Sequence, residues 1–143
     1  GPKISLQVLA FPVTNLSSFD TESYRSFGRG KSLTRRRMAW FRELYLKGTA
    51  DRTSPYASPL LAKSMSGLPP ALVITGEQDV LRDEGEAYAQ RLQQQGIVAR
   101  SVRIPGQAHA AGYWAAASEI IRPALDEAVS ALRSAFAETR EPK

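Results

Sequence analysis

Leu68-Pro69-Pro70-Ala71-Leu72-Val73-Ile74-Thr75-Gly76-Glu77-Gln78-Asp79-Val80-Leu81-Arg82-Asp83-Glu84-Gly85 is the stretch that decides the fold. Ala71 to Thr75 is an apolar run of strand length, the pattern of a strand covered on both faces. Asp83 and Glu84 favour the first turn of a helix, which runs to Gln95 and stops at Gly96. Asp79 therefore falls in the loop between the end of a strand and the start of a helix. A third strand is expected over Val98 to Ile104, where apolar and polar residues alternate unevenly, as nearer a sheet edge. Past it, in Gly106-Gln-Ala-His109, stands the only histidine of the chain.

Strands alternating with helices imply parallel βαβ units, an α/β fold. In such a sheet, ligands and reactive groups collect at the carboxyl ends of the strands. Asp79 lies four residues past Thr75 and His109 five past Ile104, so both are delivered to the same edge. A carboxylate on the Nδ1–H of an imidazole fixes its tautomer and leaves Nε2 as a base. Taken singly, Asp79 reads as a turn cap and His109 as a surface histidine. As a pair on neighbouring strand ends they read as the acid and base of a hydrolase.

The nucleophile is not in this sequence. No serine has the G-x-S-x-G surroundings that a strained strand-to-helix turn requires, and no H-G-G-G run offers oxyanion-binding N–H groups. The chain has no cysteine, so a thiolate cannot substitute, and no disulfide framework exists.

Further out, Ile4 to Phe11 reads as a strand buried on both faces, closed by Pro12. Residues 14–32 form a polar, serine- and glycine-rich excursion without a convincing period, more often a functional loop than a connector. Thr34 is placed to cap a helix with apolar positions Met38, Phe41, Leu44 and Tyr45, stopped at Gly48. Asp51 to Pro70 carries four prolines and reads as a wandering surface segment. A last helix has Pro123 in its first turn and Ile121, Leu125, Val129, Leu132 and Phe136 on one face.

Composition excludes several classes. With 143 residues, 43% hydrophobic and 23% charged, the chain is neither disordered nor fibrous. No apolar run approaches the roughly 20 residues of a membrane span, and no signal peptide is visible, so a cytoplasmic location is the default. The formal charge of +5 raises nucleic-acid binding. Most of the basic residues are scattered, however, and Arg35-Arg36-Arg37 opens an amphipathic helix as a solvated face, so no nucleic acid is expected. One histidine and no cysteine make a metal site improbable, and no cofactor is called for. Phe27-Gly-Arg-Gly-Lys-Ser32 ends like a phosphate loop, but position 25 is arginine rather than glycine and no strand precedes it.

Gln7-Val-Leu-Ala-Phe-Pro12-Val-Thr, Thr34 with Trp40-Phe41 and Tyr45-Leu46, Ala57-Ser-Pro-Leu60, and the Leu68 to Ala89 stretch together resemble the C-terminal half of the hormone-sensitive-lipase-like esterases of the α/β-hydrolase fold. The similarity covers nearly the whole chain in the family's order. It implies about three parallel strands with flanking helices, residues 1–143 as a partial hydrolase domain, and residues 14–50 as a cap or loop excursion. The family's D-P-L-x-D-E motif places its triad acid at Asp79, and its G-x-x-H motif places the base at His109. Val80 replaces the family's proline, and Ala110 replaces its glycine. The H-G-G-G and G-D-S-A-G motifs would lie outside this sequence. Trp40, Phe41, Tyr113 and Trp114 are candidates to line an acyl pocket, at spacings that also suit a core.

Two functions follow as expectations. One is part of a carboxylic ester hydrolase acting on small acyl esters, esterase- or lipase-like, inert without its serine. The other is a non-catalytic truncated hydrolase that self-associates, or captures its missing half, through the 4–11 strand.

Overall fold

The computed structural model describes residues 3–110 and 119–138. Along the chain come β1 (Gln7–Ala10), α1 (Glu22–Phe27), α2 (Arg35–Tyr45), β2 (Ala71–Gly76), α3 (Arg82–Gln94), β3 (Ala99–Ile104) and α4 (Arg122–Glu138), with 3-10 turns at Thr49–Thr53 and Pro59–Leu61. The strands form one parallel sheet in the order β1-β2-β3. Gln7 is registered on Ala71, and Ala71 on Ala99, so all three strands end at one edge. The α/β architecture expected from alternating strand and helix signals is the one observed.

Side chains of β2 alternate between two layers, as the pleat dictates. Ala71 and Val73 pack with Tyr88, Ala89 and Leu92 of α3, while Leu72 and Ile74 pack with Ile121 and Ala124 at the start of α4. Every residue of β2 is buried, which explains its unbroken apolar run. Gly96 has φ +77, the left-handed conformation that lets the chain leave α3.

Three expectations need correction. The first strand is shorter than Ile4 to Phe11 and is not buried on both faces: β1 has three half-buried residues and an exposed Ala10. It pairs on the β2 side only among the described residues, so its burial is that of an edge.

The polar excursion also holds a helix, α1, capped by Thr21, whose side chain accepts the N–H of Tyr24. Six residues are too few to display a helical period, so only the cap could have signalled it.

The last helix meets the sheet with a different face from the one its large residues mark. Ile121, Ala124, Ala128 and Ala131 pack on the sheet, whereas Leu125, Val129, Leu132 and Phe136 are exposed. The sheet-facing stripe is thus made mostly of alanine, whose small side chains permit close packing of helix on strands.

The excursion between β1 and β2 has its own core. Leu16, Phe19, Tyr24, Leu33 and Met38 pack against Val80 and Leu81, the residues just past Asp79. Thr34 caps α2 by accepting the N–H of Arg37, as its position predicts. Of the four apolar positions expected on that helix only Met38 is buried; Phe41, Leu44 and Tyr45 are exposed. Arg35, Arg36 and Arg37 are solvated, with Arg35 paired to Asp20 at 2.7 Å.

Candidate functional site

The carboxyl ends of β2 and β3 carry two loops that lie on each other. Glu77 N–H donates to the Ile104 carbonyl, Gln78 N–H to the Gln107 carbonyl, and Gly106 N–H to Glu77 Oε2. Gly76 makes the approach feasible, because a β-carbon there would stand 2.6 Å from the Gln107 oxygen.

Asp79 sits at the tip of the first loop, 1% exposed. Its Oδ1 accepts the N–H of Leu81 at 3.1 Å, and its own N–H donates to the Gly76 carbonyl. Oδ2 lies 2.9 Å from Nδ1 of His109. A proton on Nδ1 is donated to that oxygen, which leaves the Nε2 lone pair free to accept another. The carboxylate is thus held at one oxygen by backbone and at the other by imidazole, fixing the ring against a buried partner. The structure brings together the two residues singled out in the sequence.

Two further residues shape the surroundings of His109. Phe11 meets its ring edge-on, with centroids 5.6 Å apart and planes at 72°. Phe11 at φ +52 and Ala110 at φ +53 are the non-glycine residues with positive φ among those described. Non-glycine side chains are strained in that region, and here both instances adjoin the histidine. No motif or spacing singles out Phe11, which the β1 pattern makes look like an ordinary core residue.

Glu84 is a second buried carboxyl beside the loop. Its Oε1 accepts the N–H groups of Thr14 at 2.8 Å and Asn15 at 3.0 Å, and Thr14 Oγ1 donates to the Glu84 carbonyl. Oε2 and the Tyr24 hydroxyl are both buried and close enough to influence one another, yet neither makes a hydrogen bond among the described residues. Burial pushes the Glu84 carboxyl up to about 7, against the lowering effect of the two backbone N–H groups. Burial and the neighbouring Glu84 charge push the Tyr24 phenol upward as well. Position 84 alone reads as a helix-start acid; its burial depends on the excursion folding over it.

Of the pocket candidates, Phe41 lines an apolar cavity of about 410 Å³ with Val13, Leu16, Met38, Tyr45 and Tyr56. Trp40 does not line it and packs on Phe41 at 5.1 Å, while Tyr113 and Trp114 lie outside the described residues. Asp79 and His109 are not among the lining residues. Among the described residues no group of three His, Cys, Asp or Glu could hold a metal ion, and no helix is long and apolar enough to cross a membrane.

Residues 1–112 match the profile of a family described as having the alpha/beta hydrolase fold. The chain belongs to the hormone-sensitive-lipase-like family of α/β-hydrolases. It is 45% identical over 97 residues to the carboxylic ester hydrolase LipN of Mycobacterium tuberculosis, covering 67% of this chain and 26% of that protein. It is 39% identical over 104 residues to an ethyl acetate hydrolase of Pseudomonas putida, covering 73% and 32% respectively. Among solved structures, the hyperthermophilic esterase of Pyrobaculum calidifontis superposes with a TM-score of 0.85 at 40% identity, over 92% of this chain and 43% of that one. The α/β-hydrolase chain described here therefore spans about a third or less of the length of those two curated relatives.

Proposed function

We propose that this segment supplies the acid and the base of a Ser-His-Asp triad in a carboxylic ester hydrolase, the nucleophilic serine coming from outside these 143 residues. The observation that carries the proposal is the 2.9 Å contact between His109 Nδ1 and a fully buried Asp79, made at the carboxyl ends of adjacent parallel strands. In this mechanism Nε2 of His109 takes the serine proton as the hydroxyl attacks the ester carbonyl, then passes it to the departing alcohol. It next takes a proton from water as the water attacks the acyl-enzyme carbonyl, and returns that proton to the serine oxygen as the carboxylic acid departs. Asp79 holds the ring in the required tautomer and stabilises its cationic form in each half-reaction. Small acyl esters are the proposed substrates, by likeness to the family and to the ester hydrolases it resembles.

The test is hydrolysis of a short-chain nitrophenyl ester by the 143-residue chain alone and by the complete polypeptide that contains it. The chain alone should be inert and the complete protein active. Turnover by the chain alone that is lost on His109→Ala and survives dilution would contradict the missing serine.

An alternative is favoured by one observation, the edge position of β1. Unpaired N–H and C=O groups along such a strand template the addition of another strand. On this account the segment is an inert module that binds a copy of itself or its own missing half. Association that fades on dilution, with no ester turnover in the complete polypeptide, would support it.

A further inference from the structure

The Gly28 to Leu33 stretch, which overlaps the Phe27 to Ser32 run that ends like a phosphate loop in sequence, reaches both loops that carry Asp79 and His109. Lys31 Nζ donates to Gln78 Oε1 at 2.6 Å, on the residue before Asp79. The adjacent Ser32 Oγ donates to the carbonyl of His109 at 3.0 Å. The stretch is tied down from behind: Arg37 of α2 donates to the Ser32 carbonyl at 2.7 Å, and Gly28 O accepts the N–H of Arg35 at 3.1 Å. At its far end, the buried Leu33 packs in the same cluster as Val80 and Leu81.

The carbonyl that Ser32 holds belongs to the peptide between His109 and Ala110. Ala110 is in the left-handed region at φ +53, where a β-carbon is strained and glycine is not. A non-glycine residue is held in this region at a cost, so loss of the contacts on this peptide favours its rotation out of this conformation. Rotation would turn the His109 backbone and carry the imidazole away from Asp79. Ser32 is bonded to the carbonyl of that peptide and so opposes the rotation, while Lys31 bonds the facing loop at the residue next to Asp79.

From this arrangement we infer that Lys31 and Ser32 are positioning residues, a two-pronged clamp that holds the strained His109–Ala110 peptide and the Asp79 loop in register. The inference rests on the triad reading above. Neither residue exchanges protons with substrate; both act through the dyad, and their contribution should appear in kcat rather than KM.

The test uses the complete polypeptide, a short-chain nitrophenyl ester, and the variants Ser32→Ala, Ser32→Thr, Lys31→Met, Ala110→Gly and Ser32→Ala/Ala110→Gly, with His109→Ala alongside. Ser32→Ala should lower kcat about fivefold with KM unchanged, the size of one lost hydrogen bond. Lys31→Met should act in the same direction, and Ser32→Thr, which keeps the hydroxyl, should stay within about twofold of the parent. In the Ala110→Gly background, where the strain is gone, removing the Ser32 hydroxyl should cost less than about twofold. An equal loss in both backgrounds, a loss confined to KM, or failure of threonine to substitute would overturn the clamp while leaving the triad intact. Full activity in His109→Ala would overturn the triad reading, and the clamp with it.

Discussion

Gly76 and Gln107 stand so close that a β-carbon on the first would be 2.6 Å from the carbonyl oxygen of the second, with the Ala108 oxygen at 3.2 Å. Both atoms are backbone, so the contact cannot be relieved by a rotamer change. Gly76→Ala is expected to destabilise the protein by roughly 1–3 kcal/mol, the usual cost of overpacking. It should also push the His109 loop off the end of β2. Because small displacements of a reacting group are costly, ester turnover should fall about tenfold or more. Denaturant melts and steady-state rates on the same preparation check both effects.

Glu84 should make stability fall as pH rises. The unfolded carboxyl ionises near its ordinary value of 4.5, while burial holds the folded one protonated up to about 7. Between those values the native state binds more protons than the unfolded one, so stability is lost with increasing pH and levels off above the upper value. The difference corresponds to a few kcal/mol at one unit per roughly 1.4 kcal/mol. Of the groups facing it, Asp79 from the loop after β2 raises it further, and Tyr24 from α1, which lowers it, is outweighed by burial, so the sign stands. Glu84→Gln keeps an oxygen for the Thr14 and Asn15 N–H groups and adds an amide to donate to Tyr24. Urea midpoints measured from about pH 5 to about pH 8 should slope downward in the parent and lose that slope in Glu84→Gln.

The face of α4 that meets the sheet is built of small residues, with Ala124 3% exposed. Ala124→Leu is expected to cost about 1–3 kcal/mol by forcing the helix away from Leu72 and Ile74. The measurement is the denaturant midpoint. A neutral or stabilising result would mean that the large apolar stripe, rather than the alanines, faces the strands.

Legibility in the sequence follows how local each cause is. β2 is readable because a strand covered on both faces needs an unbroken apolar run, and α3 because Asp83, Glu84 and Gly96 mark its ends. The meeting of Asp79 with His109 is readable from strand ends and connection lengths alone. The edge exposure of β1 is not, since Gln7 to Ala10 carry no sign of how many neighbours the strand has. The large apolar stripe of α4 is readable as one face, but which face meets the sheet is not: Ala124, Ala128 and Ala131 pack there, and a hydrophobic pattern does not record their small size. Phe11, Ser32, Lys31 and Glu84 owe their positions to contacts between segments distant in sequence, which no local pattern encodes.

The central claim is that Asp79 holds His109 for proton transfer to and from a serine supplied by the rest of the protein. The most direct measurement is kcat for ester hydrolysis by the complete polypeptide carrying Asp79→Asn, a change that preserves shape but reverses the hydrogen-bonding preference at Nδ1. The account predicts a loss on the order of 10⁴-fold with little change in KM, the size seen when a triad histidine is held in the wrong tautomer. A variant that turns over ester within a few fold of the parent would contradict it.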